Sequence, residues 1–262
     1  MERPFSPLMV RPAPGLLLAV LLLPSLAAQA QTTRAAAAVL RDALAAHDPQ
    51  GLWERGVHTL ALRETRPSGA ERLTQLTFDR TNTTFAMRQE RDEGVVEASW
   101  SPTTCSATLD GAPMDAETAD RLRLHCEGPR TVGFWRDYYG YLYTLPMNLV
   151  DAGTQLDPVA RLDTLRGRSV WALRATYAAE TGEDTWYLYI DPDTYTLVGS
   201  RFYHDETAND GEVLYYEGAV EAAGLRLHAQ QAWYTNDGHR YLGTDHLISY
   251  EIHDADPRMR DE

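Results

Sequence analysis

Apolar and polar residues alternate along most of this chain, the period of a strand with one buried face. Val57, Thr59 and Ala61 alternate with His58, Leu60 and Leu62 until Pro67-Ser68-Gly69 turns the chain. Leu73–Phe78, Thr84–Gln89, Val95–Trp100 and Cys105–Leu109 repeat the pattern, joined by short polar turns such as Asp92-Glu93-Gly94. A second series begins at Ser169, with Trp171, Leu173, Ala175 and Tyr177 on one face. Trp186–Ile190, Val198–Phe202, Val213–Val220, Leu225–Tyr234 and Tyr241–Tyr250 complete it. Asn209-Asp210-Gly211 and Asn236-Asp237-Gly238 between such runs are hairpin signals.

Three stretches carry the helical period instead. Val39, Leu40, Ala43 and Leu44 form one stripe, so a helix is expected over Thr33–His47, stopped by Asp48-Pro49. Asp115 is placed to cap a helix to about His125, with Arg121 and Arg123 in its last turn, which suits the helix dipole. In the third, Trp135, Tyr138, Tyr139, Leu142 and Leu145 fall at helical spacing before Pro146. Tyr141 and Tyr143 lie off that stripe, so this helix is apolar on more than one side.

The order is helix, strands, central helices, strands, with no repeat or linker between the halves. About ten antiparallel strands in one sheet curl on themselves. The expected class is α+β: a strongly curved antiparallel half-barrel of about ten strands, with helices plugging its concave side, over residues 31–253 as one domain. Residues 254–262 read as a charged, frayed tail.

The first thirty residues read differently. Arg3 and Arg11 precede the apolar run Leu16–Leu23, and Ala28-Gln29-Ala30 follows. That is the form of a secretory signal peptide over residues 1–30, cleaved near Ala30, and periplasmic export is expected. The run is shorter than the roughly 20 residues of a membrane span. The formal charge is −14. Removing Glu2, Arg3 and Arg11 takes away a net +1 and leaves about −15. An acidic chain is a poor partner for nucleic acid, whose phosphates need a basic face. The acidity serves solubility, and the absence of Lys reads as genome composition or a salt-rich habitat.

Cys105 and Cys126 are the two cysteines. In an exported protein such a pair forms one disulfide. Cys105 lies on an alternating run with Ala107 and Leu109. Cys126 continues the stripe Ala119, Leu122, so both side chains point inward. Closing a loop of about 20 residues stabilises by roughly 3 kcal/mol in the chain-entropy treatment.

The segment Arg130–Val150 concentrates Phe134, Trp135, Tyr138, Tyr139, Tyr141 and Tyr143. One reading makes these rings a plug in the core. The sharper one makes Trp135, Tyr138, Tyr139, Leu142, Leu145 and Met147 the lining of, or a lid over, an apolar cavity. Tyr packs its ring on an acyl chain while its hydroxyl stays wet, and Met adapts to ligand shape. The two readings overlap, since a plug that moves is a lid.

The run Tyr138-Tyr139-Gly140-Tyr141-Leu142-Tyr143-Thr144-Leu145-Pro146-Met147-Asn148-Leu149, then Asp151–Thr154 and Trp186–Pro192, resembles a family of uncharacterised secreted bacterial proteins, mainly from the Bacteroidetes and their relatives. The layout is similar to the outer-membrane lipoprotein carrier (LolA/LolB-like) superfamily. That resemblance implies an open half-barrel with helices in its hollow, where better-known members hold acyl chains. The superfamily's functional arginine matches no position here, and no binding residue carries over.

Catalytic and metal motifs are sparse. Asp205, Thr207 and Asn209 have the spacing of a calcium loop, but Gly211 falls one place late and Tyr216 stands where the bidentate Glu belongs, so a solvated turn is expected. The eight His form no HExxH or His-x-His pair and read as surface residues. Asp245-His246 and His253-Asp254 are adjacent, which on a strand points them to opposite faces. There is no nucleophile elbow, P-loop or dinucleotide fingerprint. The leading expectation is a non-enzymatic, monomeric periplasmic carrier or sensor of an apolar ligand, a lipid or acylated protein, with no metal or cofactor and only transient membrane contact. The alternative is an envelope interaction module with a filled core and a protein partner. A hydrolase acting through two carboxylates stands third and requires both acids in one cleft.

Overall fold

The computed structural model describes residues 32–128, 131–179 and 181–253. The expected signal peptide, its cleavage point and the charged tail 254–262 lie outside the described residues. Fifteen strands form one open, curved, largely antiparallel sheet, in the order β1-β9-β10-β11-β12-β13-β14-β15-β2-β3-β4-β5-β6-β7, with β8 paired to β10 off that path. The α+β class therefore stands, and the strand count exceeds the expected ten.

The alternating runs become β2 (Val57–Thr65), β3 (Glu71–Asp79), β4 (Thr84–Arg91), β5 (Gly94–Trp100) and β6 (Cys105–Leu109). The second series becomes β10 (Arg168–Tyr177), β11 (Thr185–Ile190), β12 (Leu197–Tyr203), β13 (Glu212–Ala222), β14 (Leu225–Thr235) and β15 (Tyr241–His253). The additional strands are β1 (Thr33–Ala35), β7 (Ala112–Pro113), β8 (Thr154–Leu156) and β9 (Val159–Leu165). Three are too short to show a period, and β9 buries only Ala160 and Leu165. The two series meet where β15 pairs β2, from Thr244↔Thr65 to His253↔Val57.

The first helix, α1, spans Ala36–His47. The expected start at Thr33 is corrected: Thr33–Ala35 pair with Val159–Arg161 of β9, and coiling begins after that pairing. Val39, Leu40 and Ala43 are buried as the stripe requires, and α1 packs on β1, β9, β10 and β14. The second helix, α2, spans Ala116–Leu122, with Asp115 accepting from the Thr118 amide. It stops before His125 because Arg123 turns left-handed at φ 59. Cys126 thus lies in the loop beyond α2 and not on its stripe. It still reaches Cys105, forming the expected disulfide with Cα atoms 5.5 Å apart.

The hairpin signals fold as read. After β12, Asp205 caps a single 3-10 turn, Glu206–Ala208, and Asn209 and Gly211 both adopt positive φ. A Cβ at Gly211 would lie 2.2 Å from the Phe202 carbonyl oxygen, so only Gly fits. Among the described residues no cluster of three metal-ligating side chains forms, and no helix is long and apolar enough to cross a membrane.

Candidate functional site

The aromatic segment folds as α3 (Val132–Thr144), capped by Thr131, whose hydroxyl accepts from the Phe134 amide at 3.3 Å. The Leu145–Pro146 peptide is cis, and Met147–Val150 form a 3-10 turn. The helix packs on β5, β6 and β14. In the sheet order β15, β2, β3 and β4 lie between β14 and β5, so α3 spans the hollow from one arm to the other. That position explains the aromatic girth. Tyr138 stacks on Trp233 of β14. Tyr141 meets Trp186 at 4.7 Å between ring centres and shares a hydrogen bond with the Tyr177 hydroxyl. Tyr143, off the expected stripe, is as deeply buried as Tyr139.

The six candidate residues come together, but as filling. Tyr139, Leu142, Leu145 and Met147 are buried in the core, while Trp135 and Tyr138 are partly buried against it. The Trp135 indole N–H donates to the Leu122 carbonyl at 3.0 Å, tying α3 to α2. The rings of α3 occupy the hollow. Two cavities, of about 430 and 330 Å³, lie elsewhere, and no residue of α3 lines either.

The floor under α3 is polar. Register places Gln231, Asp245, Glu64 and Arg72 side by side on β14, β15, β2 and β3. Glu64 is 1% exposed. It accepts from Arg72 Nε at 2.7 Å, from the Thr74 hydroxyl, and from the Tyr139 hydroxyl at 3.1 and 3.3 Å. Gln89 of β4 donates to the Tyr139 hydroxyl at 2.8 Å. Arg72 lies over the Trp135 ring, 5.6 Å from its centre, a cation–π contact from sheet to helix. Asp245, 3% exposed, accepts from Trp233 Nε1 at 2.9 Å and from Arg66 at 3.2 Å.

The environments of the two acids differ. Burial pushes the Glu64 carboxyl up, but the hydrogen bonds and charge of Arg72, with Thr74 and Arg66, outweigh it and hold Glu64 below the usual range. Asp245 is pushed up to about 6 by burial first and the charge of Glu64 second, against the opposing pull of Arg66. Burial, with Glu64 beside it, raises the Tyr139 phenol well above its ordinary value, so it stays a neutral donor. One group of α3 and one of the floor have no protein partner. The Tyr143 hydroxyl and both polar atoms of the Gln231 amide are buried without one, each costing about 1–3 kcal/mol.

Glu64, Arg72, Gln89, Gln231 and Asp245 were missed as site residues. A signal existed: Glu64 continues the buried positions Leu60 and Leu62, and Gln89 continues Phe85 and Met87. The paired acids match part of the hydrolase expectation, but both lie buried beneath α3 and line neither cavity. The reading of all His as surface residues is also corrected: His47, His58 and His228 are buried.

Residues 15–250 match the family of unknown function DUF6503, and the chain belongs to that family. Similar solved structures include a LolA superfamily protein from Nitrosomonas europaea, 12% identical, covering 87% of this chain and 98% of that one, with a TM-score of 0.48. A second is a domain described as outer membrane lipoprotein-sorting, from Vibrio parahaemolyticus, 10% identical, covering 82% and 91%, with a TM-score of 0.47. A third is a DUF1329 family protein from Desulfovibrio piger, 8% identical, covering 83% and 92%, with a TM-score of 0.42. No curated protein matches the chain.

Proposed function

We propose that the chain carries or senses an apolar ligand, a lipid or the acyl chain of a lipoprotein, in the hollow of its sheet, and that α3 gives way to admit it. The observation that supports this is the seating of α3. It spans an open sheet over a floor that leaves the Tyr143 hydroxyl and the Gln231 amide unpartnered, whereas a permanent core has its buried polar groups satisfied.

An acyl chain can offset much of the cost of undocking α3. Undocking Tyr139, Leu142 and Tyr143 costs roughly 1.5–3 kcal/mol for each side chain. An acyl chain burying eight CH₂ groups contributes about 6 kcal/mol. A ligand that binds only the undocked state shifts the chain towards that state.

The filled hollow also favours a second reading, an envelope interaction module with a packed interior. That reading requires an exposed apolar patch. Among the described residues the exposed large apolar side chains are divided between β9 (Val159, Leu162), the turn after α3 (Val150) and the β15-β2-β3 region (Tyr241, Ile248, Leu73).

Native mass spectrometry of protein purified without detergent, before and after incubation with palmitate or phosphatidylglycerol vesicles, tests the carrier reading. A stoichiometric adduct weakened by Leu142→Ala is expected. A mass unchanged by either lipid would overturn it and leave the interaction module.

A further inference from the structure

The end of α1, the turn after β11 and strands β10, β12, β13 and β14 line the cavity of about 430 Å³. The second, of about 330 Å³, shares Arg168, Asp191, Val198, Tyr216 and Glu217 with it, so the two are lobes of one cleft. The larger is within the range of small-molecule sites, roughly 300–1,000 Å³.

The charges of this cleft are matched. Arg168 faces Asp191 at 3.5 Å, Glu217 faces Arg166 at 3.0 Å, and Arg226 faces Glu221 at 2.8 Å. A charged ligand would have to displace one of these partners. The Thr194 and Thr196 hydroxyls, 2.8 Å apart, add neutral donors and acceptors to the wall.

Two buried imidazoles line the cleft, and they differ. His47 is committed on both sides: Nδ1 pairs with the Arg226 carbonyl at 3.0 Å, and Nε2 accepts from the Leu197 amide at 2.9 Å. His228 is 3% exposed, and neither of its nitrogens has a protein partner. Its ring is held by stacking, on Tyr216 at 4.2 Å with an interplanar angle of 11° and on Tyr143 of α3 at 5.8 Å and 27°. Burial, with His47 beside it, drives its pKa down to about 3, so near neutral pH the ring is uncharged and offers one N–H donor and one nitrogen acceptor.

We propose that this cleft binds a small neutral polyhydroxyl molecule, a sugar or polyol, with a ligand hydroxyl on His228 and others on the paired arginine–carboxylate walls. A hydroxyl donates and accepts at once, which matches a neutral imidazole. Guanidinium and carboxylate groups already paired to each other keep lone pairs and N–H groups for further neutral hydrogen bonds. A phosphate or carboxylate finds no uncommitted cation here, and Asp191 and Glu217 repel it. The cleft is a site apart from the hollow, since no residue of α3 lines it, and it touches α3 only through the stacking of His228 on Tyr143.

The test is NMR of the full chain with isotope-labelled histidine, the His228 signals being assigned by their loss in His228→Phe. Glucose, maltose, trehalose and glycerol are titrated, with phosphate, acetate and glycine as charged controls. At least one neutral sugar or polyol should shift the His228 ring saturably and more tightly than any control. Calorimetry should show that ligand bound at least about tenfold more weakly by His228→Phe, which keeps the stacked ring and removes both nitrogens. Thr194→Val, at an exposed turn where the hydroxyl bonds Asp191 and Thr196, is a second variant, its folding checked by the unchanged remaining histidine signals, and should weaken binding about threefold or more. The proposal falls if no neutral compound shifts the ring, if a charged control binds more tightly, or if both variants bind the sugar as the parent does.

Discussion

The Tyr139 hydroxyl lies between the two carboxylate oxygens of Glu64, 3.1 and 3.3 Å away, and is the point where α3 is fastened to the sheet. The same hydroxyl accepts from Gln89 and Arg72, so one phenol on the helix answers groups on β2, β3 and β4.

Tyr139→Phe removes this fastening and keeps the ring. Glu64 retains Arg72 and Thr74, so the loss should be about 1–2 kcal/mol by urea denaturation. Amide exchange should quicken across α3 more than across β2 or β3. Under the carrier reading, palmitate should bind up to about tenfold more tightly, because the docked helix competes less.

Arg72→Met leaves Glu64 buried beneath α3 with its main counter-charge gone. A stability loss of about 3–5 kcal/mol is expected. The double variant Glu64→Met, Arg72→Met should recover most of that loss, since no unpaired charge remains. Denaturation midpoints of the three proteins decide the matter.

Asp245 gives a pH signature. Its carboxyl is pushed up to about 6 from an ordinary 3.8. Between those values the folded chain holds a proton that the unfolded chain has released. This contribution to stability therefore falls as pH rises from about 4 to about 6, and is level above that. Asp245→Asn removes the slope. Its stability relative to the parent should rise across the window by roughly 2–3 kcal/mol at most. Urea melts at about pH 4 and about pH 7 measure the change, and an equal difference at both would contradict it.

Replacing Cys105 and Cys126 together by Ser frees the loop that carries α2 towards α3. The bridge spans 21 residues in sequence, so roughly 3 kcal/mol should be lost. Proteolysis under native conditions should then cut first between Arg123 and Thr131.

Much of this arrangement was legible in the sequence. Long alternating runs gave β2–β6 and β10–β15, because a sheet with one buried face imposes a period of two. Asp115, Pro146 and the Asn/Asp-Gly turns marked ends that steric and capping chemistry dictate. The short strands were not legible: β1 and β8 hold three residues each, and their pairing is set by distant partners. Nor was the polar floor read, although Glu64 and Asp245 sit in step with Leu62 and Leu247. An inward carboxylate looks like any surface acid until the arginine opposite it is known. The second apolar side of α3 was legible in Tyr141 and Tyr143, which lie off the stripe, and it fits a helix enclosed by two arms.

The seam between β15 and β2 joins residues about 190 positions apart, Tyr250 opposite Leu60 among them. Each meander flanking it is built from near neighbours and can assemble early, while the seam waits on slow long-range closure. Until it closes, two strands that belong in the middle of the sheet stand as raw edges, each offering a full ladder of unpaired amides. A newly made copy in that interval can pair across with another and exchange halves, so crowding during synthesis, not heat, is the hazard this topology builds in.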